Sequence, residues 1–372
     1  MTTDGKTSAA PLAGIRVLDA GFMLAGPLVG RQLADLGAEV VKLEPPGGDP
    51  SRGPDATEPD WQPNDFWKAL HGGTRSVVVD LKRPEGLEAA LELLPRFDIF
   101  VENLRPGVMT RLGLGWERAR ESNPDLIYCS IRGFAGDGEL SGLTATDGVI
   151  QAYSGWAPAE PEDDLDPGIN PTLTVADFIT GSFATQGVLA ALVRRENGGG
   201  GSQVELNMAE VMTYARALCH APGLESPSTF VAITADDQRV LIQTALHLAV
   251  RMLRVLADEP GFGGLADDPR FQTKEGRSAD AEEYLTTVRS AIRRRPLADW
   301  LRLFGAAGVP IAAIGSPRPP DRNPFRFDGD RRPLDPRTVV LGADTEAVLS
   351  EAGLDRGRID SIEQARREGT PR

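Results

Sequence analysis

The residue with the most direct chemical use is Asp177, which follows NPTLTVA and opens the apolar-faced segment DFITGSFATQGVLAALVRREN. A carboxylate at the start of a helix can accept the amide protons of the first turn as an N-cap, which stabilises a helix by about 0.5–2 kcal/mol. It can also attack a carbonyl compound as a nucleophile, or take a proton from it as a general base. From residue type alone, the N-cap is the favoured interpretation.

A second feature with chemical meaning is the segment IRVLDAGFMLAGPLVGRQLADLGAEVVKLEPP, which has the order strand, glycine-bearing loop, helix and strand. This is the outline of a nucleotide-binding βαβ unit. A dinucleotide fingerprint requires the spacing G-x-G-x-x-G, whereas the glycines here are Gly21, Gly26 and Gly30 in a bulky apolar loop. Glu44 matches the acid expected after the second strand, but one carboxylate is a weak signal. We therefore do not expect a nicotinamide cofactor.

The other reactive side chains do not cluster in the sequence. The three histidines are His71, His220 and His247, and no two of them have the spacing of metal ligands. The two cysteines, Cys129 and Cys219, lie in the apolar segments LIYCSI and RALCHA. We expect them to be buried thiols in a reducing compartment. The sequence therefore predicts neither a metal site nor a disulfide framework.

The net charge of −14 over 372 residues decides against two classes of partner. An acidic surface repels both nucleic-acid phosphates and anionic lipid, so an anionic ligand would need a local basic pocket. The start of the chain, MTTDGKTSAAPLAG, has no apolar run typical of a secretory signal. No segment offers the ~18 uninterrupted apolar residues of a membrane span. We expect a cytoplasmic protein that binds neither nucleic acid nor membranes.

Strands and helices alternate through the first half of the chain and must position these residues. The predicted strands include IRVLDAG, EVVKLEP, TRSVVVDLK, FDIFVENL, DLIYCSIRGF and SQVELNM, and GVMTRLGLGWERARESNP is predicted as one helical stretch. Apolar strands with helical crossovers indicate a parallel, Rossmann-like sheet covered on both faces. From about residue 225 to 315 a hairpin around Asp236-Asp237, three helices and the strand VPIAAIG predict a smaller α+β domain. TEAVLSEAGL is predicted as the last helix.

Several separate motifs occur in the order typical of family III CoA-transferases. The main ones are PLAGIRVLDAGFMLAGPLVGRQLADLGAEVVKLEPPGGDPSR, RSVVVDLKRPEG, DIFVENLRPGVMTRLGLGWERARESNPDLIYCSIRGF and DFITGSFATQGVLAALVRRENGGGGSQVELNMAE. The chain therefore resembles this family, which includes formyl-CoA and carnitine CoA-transferases and shares its fold with α-methylacyl-CoA racemases. The resemblance implies a large domain, 1–222, completed by 316–372, and a small domain, 225–315. It also implies two subunits threaded through each other as an interlocked homodimer.

The resemblance makes Asp177 the catalytic residue and places it ahead of the N-cap interpretation. Its carboxylate would attack an acyl-CoA, and an aspartyl-CoA thioester would then pass CoA to a carboxylic acid. Coenzyme A takes part as the substrate, and no metal is required. For CoA binding the resemblance points to residues on loops and strand ends: Ala25, Arg75, Lys82, Asn103 and Arg111. Without the resemblance, Lys82 and Arg111 would be interpreted as solvated surface charges and Asn103 as a turn residue. Arg75 would be interpreted as the partner of Asp80 in an ion pair.

Some positions depart from the family pattern. Leu24 stands where formyl-CoA transferase has a glutamine, and Pro45 stands where a basic residue often follows the second strand. PGLESPSTF takes the place of the glycine-rich loop expected near 220–230. Thr146-Asp147 replaces the His-Asp pair of the racemases, so two-base racemisation by the usual partners is not expected.

Three functions follow from these observations. The leading one is a CoA-transferase that moves CoA from an acyl-CoA to a carboxylic acid through Asp177. The alternatives are an isomerase-, racemase- or dehydratase-like enzyme with Asp177 as general base, and a non-catalytic protein that binds CoA ligands. The apolar first loop, together with Trp61 and Trp156 in loop-like segments, suggests an acyl group larger than formyl.

Overall fold

The structure is a computed structural model of the chain. It describes residues 10–58, 60–157, 170, 172–219, 227–244, 247–315, 322, 324–328 and 330–369. His220 and most of the replaced loop near 220–230 lie outside the described residues. The chain divides into two compact units, one formed by Met1–Leu218 with Pro320–Arg372 and the other by Cys219–Pro319.

Six described strands form a parallel sheet in the first unit, and three form an antiparallel sheet in the second. They are β1 Arg16–Asp19, β2 Glu39–Glu44, β3 Arg75–Val78, β4 Ile99–Glu102, β5 Ile127–Arg132, β6 Ser202–Asn207, β7 Thr229–Ile233, β8 Arg239–Gln243 and β9 Ile311–Ala313. The large sheet has the order β3-β2-β1-β4-β5-β6, with all neighbours parallel. This is the doubly wound order, so the predicted parallel α/β sheet is confirmed.

Helices connect these strands. They are α1 Ala25–Asp35, α2 Asp65–His71, α3 Pro84–Leu93, α4 Val108–Arg111, α5 Trp116–Ser122, α6 Asp147–Tyr153, α7 Val175–Arg194, α8 Met208–Cys219, α9 Leu248–Ala257, α10 Pro269–Gln272, α11 Lys274–Ala279, α12 Ala281–Ile292, α13 Leu297–Ala307, α14 Thr345–Glu351 and α15 Arg356–Gly369. The predicted helical stretch after β4 is confirmed as two short helices, because Gly113, with φ of 83°, ends α4 before α5 begins. The prediction that TEAVLSEAGL forms the last helix is wrong, because the polar helix α15 follows it. Ile359 and Ile362 pack α15 onto the core.

The large sheet has a hydrophobic core on each face, because successive strand residues point to opposite sides. Val17 and Val101 face the layer of α1, α7 and α8. Leu18 and Phe100 face the layer of α3, α5, α14 and α15. This arrangement leaves the carboxyl ends of the strands open, and the loops that follow them carry the residues of interest.

Two further observations concern α7 and α8. The segment Val175–Gly199, which consists of α7 and the turn after it, is long and apolar enough to cross a membrane by length and composition alone, but 44% of its most apolar window is buried inside the protein. One side of this segment packs in the core, through residues such as Ala184, Val188 and Leu192, whereas Phe178 and Val193 are exposed. Cys129 is buried as predicted, whereas Cys219 is exposed. The predicted burial of Cys219 is wrong, because the last turn of α8 extends beyond the core.

The second unit has the predicted hairpin and helices. β7 pairs with β8 in antiparallel register, and β8 pairs with β9. Asp237 supplies the left-handed turn residue between β7 and β8, with φ of 57°. Trp300 and Phe304 of α13 are fully buried against α9 and α12.

Candidate active site

The loop between β1 and α1, residues 20–24, is held from two sides. Asn103, directly after β4, binds both backbone groups of Phe22. The Phe22 N–H donates to Asn103 Oδ1 at 2.6 Å, and Asn103 Nδ2 donates to the Phe22 carbonyl at 2.8 Å. The Met23 N–H donates to Asp49 Oδ1 at 3.2 Å. The loop is therefore fixed by the protein itself.

The glycines of this region serve close packing. A Cβ on Gly21 would lie 2.9 Å from the Gly26 Cα, and a Cβ on Gly26 would lie 3.0 Å from Asn103 Cγ. Real Cβ atoms rarely come so close, so side chains at these positions would push the loop away from α1 and Asn103. The unusual glycine spacing therefore reflects the approach of the loop to its neighbours.

A buried ionic cluster supports the same loop. Lys42 Nζ lies 3.2 Å from Asp19 Oδ2 and 3.1 Å from Asp49 Oδ2, and none of the three side chains is more than 2% exposed. Burial by itself disfavours the ammonium, but the nearby carboxylates more than compensate and raise the pKa of Lys42. Lys42 also donates to the Gly21 carbonyl. The cluster thus ties β1, β2 and the first loop together.

Glu44 is fully engaged in the interior. Its carboxylate accepts from Arg52 Nη2 at 2.6 Å, from Arg52 Nε at 2.8 Å and from Ser76 Oγ at 2.6 Å. The side chain is fully buried. It is therefore not available to bind a ribose, which agrees with the expectation that nicotinamide dinucleotide is not a ligand.

Asp177 lies in the first turn of α7 and is half-buried. Thr174 is the N-cap residue of this helix, so the interpretation of Asp177 as an N-cap is wrong. A Cβ on Gly181, one turn later, would lie 2.8 Å from the Ala25 carbonyl, so α7 packs closely on α1. The Asp177 N–H donates to Asp147 Oδ2 at 2.9 Å, which fixes the first turn of α7 against the start of α6.

The environment of Asp177 makes its carboxyl a weaker acid. Burial, and to a smaller extent the negative charge of Asp147, raise the pKa of Asp177 from 3.8 to about 7. Gln151 donates to Asp147 and helps to hold that carboxylate in place. A carboxyl with this pKa exchanges its proton near neutral pH, as catalytic groups often do.

Asp177 and Asp147 line a cavity of about 640 Å³ at the carboxyl edge of the large sheet. The rest of the lining combines apolar side chains, hydroxyls and two arginines: Phe22, Met23, Ala25, Asn103, Leu104, Arg105, Pro106, Ile131, Arg132, Gly133, Phe134, Ser141, Leu143, Thr144, Ala145, Thr146, Thr174 and Met208. An apolar wall with few convergent polar groups is typical of a small-molecule site. This cavity is the candidate active site.

The two arginines of the cavity differ in their pairing. Arg132 Nη2 lies 2.7 Å from Oε1 of the buried Glu102, and Nη1 donates to the Leu104 carbonyl at 2.9 Å. Arg105 is exposed and makes no ion pair with the residues that the structure describes. Sequence reasoning missed both arginines. The available signal was their position directly after β4 and at the end of β5, where parallel sheets bind ligands.

Of the residues predicted to bind CoA, the structure brings Ala25 and Asn103 to the cavity of Asp177. Ala25 is the first residue of α1 and is buried. The side chain of Asn103 already binds Phe22. Lys82 and Arg111 follow β3 and β4, and both are exposed without an ion pair among the described residues. They follow the carboxyl ends of their strands in the chain but do not line the cavity.

Arg75 is placed elsewhere. It begins β3, at the opposite end of that strand from the cavity edge, and lines a separate cavity of about 710 Å³. Its guanidinium lies 2.8 Å from Glu351 and 3.2 Å from Glu39. The suggested pair with Asp80 is wrong, because the carboxylates of α14 and β2 take that place.

The remaining reactive and aromatic side chains do not add to the site. No group of described His, Cys, Asp and Glu residues could hold a metal ion. Burial raises the pKa of the Cys129 thiol to about 12, so it carries no thiolate at neutral pH. Trp61 donates to the Arg52 carbonyl and Trp156 to the Met212 carbonyl, and neither lines the cavity.

Replacing Asp147 with Asn tests the electrostatics of the pair. The amide oxygen can still accept from the Asp177 N–H, but the negative charge is lost, so the pKa of Asp177 should fall. We expect kcat/KM for the reaction at this site to rise with pH as Asp177 ionises, and we expect this rise to occur at lower pH in Asp147→Asn than in the wild type. The pH profile of kcat/KM measures this. An unchanged profile would show that Asp147 acts only through its hydrogen bond.

The fold and the site define a class: a doubly wound α/β protein with a half-buried carboxyl group of raised pKa in a cavity at the carboxyl edge of its sheet. The sequence model of CoA-transferase family III matches residues 12–320. The chain belongs to CoA-transferase family III, and it is a transferase.

Named relatives and solved structures agree with this assignment. Succinate–glutarate CoA-transferase of Agrobacterium fabrum is 30% identical over 371 residues, 95% of this chain and 92% of that protein. Formyl-CoA:oxalate CoA-transferase of Streptomyces avermitilis is 32% identical over 329 residues, 82% of this chain and 80% of that protein. A CAIB/BAIF family protein from Brucella suis has a TM-score of 0.77 at 27% identity, covering 92% of this chain and 100% of that chain.

Proposed function

We propose that the protein moves CoA from an acyl-CoA thioester to a carboxylic acid, with Asp177 as the nucleophile. The observation that carries the proposal is the half-buried Asp177 in a cavity that also holds apolar side chains and Arg105, which makes no ion pair among the described residues. The names of the relatives support a carboxylate acceptor, because those proteins are CoA-transferases named after the carboxylates succinate, glutarate and oxalate.

The reaction follows from the chemistry of a carboxylate and a thioester. Asp177 attacks the acyl carbonyl, forms a mixed anhydride and expels the CoA thiolate. The thiolate attacks the aspartyl carbonyl, which leaves an aspartyl-CoA thioester and releases the donor's carboxylate. An acceptor carboxylate then repeats the two steps in reverse order and leaves as a new acyl-CoA. Each thioester that is broken is re-formed by way of an equally activated anhydride, so the steps balance without a further reactant.

The protein contributes orientation and charge to these steps. Asp147 holds the first turn of α7 through the Asp177 N–H, so the attacking carboxylate keeps its place. Deprotonation of Asp177 is needed for attack, and its pKa of about 7 leaves a large ionised fraction at neutral pH. Arg105 supplies positive charge for an acceptor carboxylate or for CoA phosphates, whereas the charge of Arg132 is balanced by Glu102.

The mass of the intact protein after incubation with a panel of acyl-CoAs tests this proposal. We expect a CoA-sized adduct on the wild type that hydroxylamine removes and that Asp177→Ala lacks. The absence of an adduct from every donor, although the protein binds CoA, would contradict the mechanism.

Lys82, Arg111 and Arg105 are proposed to hold the phosphates of CoA. We expect Ala at each position to raise the Kd for CoA by about tenfold, because one charge-assisted hydrogen bond to phosphate is lost. Dephospho-CoA distinguishes the contacts: a residue that binds the 3′-phosphate should lose its effect with this ligand. Arg75→Ala serves as the comparison, because Arg75 is paired with Glu351. An effect of Arg75→Ala equal to that of the others would contradict this assignment.

A second candidate is proton transfer on an acyl-CoA, with Asp177 as general base. The observation that favours it is the pKa of about 7, which suits a base at neutral pH. Exchange of the α-proton of an acyl-CoA in deuterated water, without an adduct, would support it. Position 146 is a threonine, so the two-base racemase reaction lacks its usual histidine. If the protein forms no adduct and catalyses no exchange, the result would favour a protein that only binds CoA ligands.

We also propose that the protein is a homodimer, interlocked as in the family it belongs to. Large apolar side chains are exposed on α6, α7 and α8, and a second copy of the chain would bury them. Tyr153 is 58% exposed, Phe178 55%, Val193 62% and Leu218 67%. Such a number of large exposed apolar groups on one layer is typical of an interface. The mass in solution by light scattering tests the dimer, and a monomeric mass would overturn it.

A further inference from the structure

Met23, in the first loop, has a left-handed backbone with φ of 64°. Residues with a Cβ avoid this region because the Cβ approaches the carbonyl oxygen. The other non-glycine residues with positive φ in the described chain are Asp237 and Asp328. Aspartate tolerates this conformation through local hydrogen bonds. At Met23 the residue type does not relieve the strain.

The surroundings of Met23 impose this conformation. The preceding residue, Phe22, is bound by Asn103 through both its N–H and its carbonyl. The Met23 N–H is bound by Asp49, whose carboxylate lies 3.1 Å from the buried Lys42. A strained backbone persists only where neighbouring structure over-determines it, and such positions cluster at functional sites.

Packing in the hydrophobic core does not explain why position 23 is a methionine. Its side chain is 52% exposed, whereas the next residue, Leu24, is 8% exposed and packs on Leu28 and Leu70. A glycine at position 23 would adopt the same backbone without strain. Met23 lines the cavity of Asp177. The strained position thus presents a flexible apolar side chain to the candidate active site.

We propose that Met23 is a specificity-determining residue that contacts the hydrocarbon part of the acyl donor and favours longer acyl groups over acetyl. This inference rests on the proposed CoA transfer. Methionine is unbranched and polarisable, so it fills space against chains of different shape. Leu143, which is 58% exposed, lines the same cavity and extends the apolar surface. Names of relatives range from succinate–glutarate CoA-transferase to a probable fatty acyl-CoA transferase, so the names alone do not fix the acyl group.

The test compares Met23→Gly and Met23→Ala with the wild type on acetyl-, butyryl- and hexanoyl-CoA. The rate of adduct formation on Asp177 is followed by intact mass. We expect the ratio of the hexanoyl rate to the acetyl rate to fall by about tenfold in both variants, the effect of one or two lost methylene contacts. Met23→Gly is expected to keep or raise Tm because the strain is removed, whereas Met23→Ala keeps the strain.

Asp328→Gly is the matched control, since it also removes a non-glycine residue with positive φ but on an exposed turn. It should leave the ratio unchanged. Suppose that the wild type reacts and that the hexanoyl-to-acetyl ratio of the Met23 variants lies within about twofold of the wild-type ratio. This result would overturn the role of Met23 and leave the proposed function intact. A ratio that rises, or a clear loss of Tm in Met23→Gly, would also overturn that role. No adduct on the wild type with any donor would overturn the proposed function instead.

Discussion

Replacing Asp177 with Asn is expected to lower kcat for CoA transfer by about 10⁴-fold or more, because the variant keeps the shape of the side chain but lacks the attacking carboxylate. Binding of acyl-CoA should change by no more than about threefold, since the interaction that is lost belongs to the reaction. Initial rates and equilibrium binding of the same acyl-CoA measure the two effects. Asp137→Asn, at an exposed aspartate outside the cavity, is the control and should leave both unchanged.

The same replacement should stabilise the protein above neutral pH. The pKa of Asp177 is about 7 in the folded protein, against an ordinary value of 3.8. Between these values the folded state binds the proton more tightly than the unfolded chain, so wild-type stability falls as the pH rises from about 4 to 7. At pH 8 we expect Asp177→Asn to have the higher Tm, by about 2–4 °C for each kcal/mol by which its free energy of unfolding exceeds that of the wild type.

Thermal unfolding across pH 4 to 8 checks this second effect. The two proteins should have the same Tm near pH 4, where the carboxyl is protonated in the folded wild type. A constant difference at all pH values would contradict the raised pKa. Loss of activity together with a gain of stability at pH 8 is the combination expected for a residue retained for chemistry, because the ionised group is costly to bury.

Replacing Lys42 with Met is expected to have the largest effect on stability, a loss of about 3–5 kcal/mol in the free energy of unfolding. Lys42 lies between the carboxylates of Asp19 and Asp49, and all three side chains are almost completely buried. Methionine has a similar size but no charge, so two buried carboxylates lose their counter-ion. The first loop also loses a support, because Lys42 binds the Gly21 carbonyl.

Denaturant unfolding of the wild type and of Lys42→Met measures this loss. Lys68→Met is a matched control: Lys68 is 50% exposed and lies 3.4 Å from Asp65 one helical turn away. Exposed pairs of this kind are worth at most about 1 kcal/mol. The deficit of Lys42→Met should shrink at low pH, where the stranded carboxylates become protonated. A deficit no larger than that of Lys68→Met would show that the buried cluster contributes little.

The local pattern of the sequence determined the architecture of the large sheet. Continuous apolar strands such as DLIYCSIRGF separated by amphipathic helices are compatible with few arrangements, because right-handed crossovers bury both faces. The predicted hairpin at Asp236-Asp237 followed from period-two alternation in the same way. Elements with weak periodicity were missed. The polar helix α15 is held by Ile359 and Ile362, and two residues are too few to produce a recognisable stripe.

The sequence also identified Asp177 as a functional candidate, through its resemblance to a family. Only the tertiary structure decided which groups surround it. Asp147 is 30 residues away in the chain, and Arg75 binds Glu351 across 276 residues. Such pairings depend on strand register and helix packing, which no local pattern reports. The buried charge of Lys42 and the strained backbone of Met23 likewise exist only because the folded chain closes the first loop between Asn103 and Asp49.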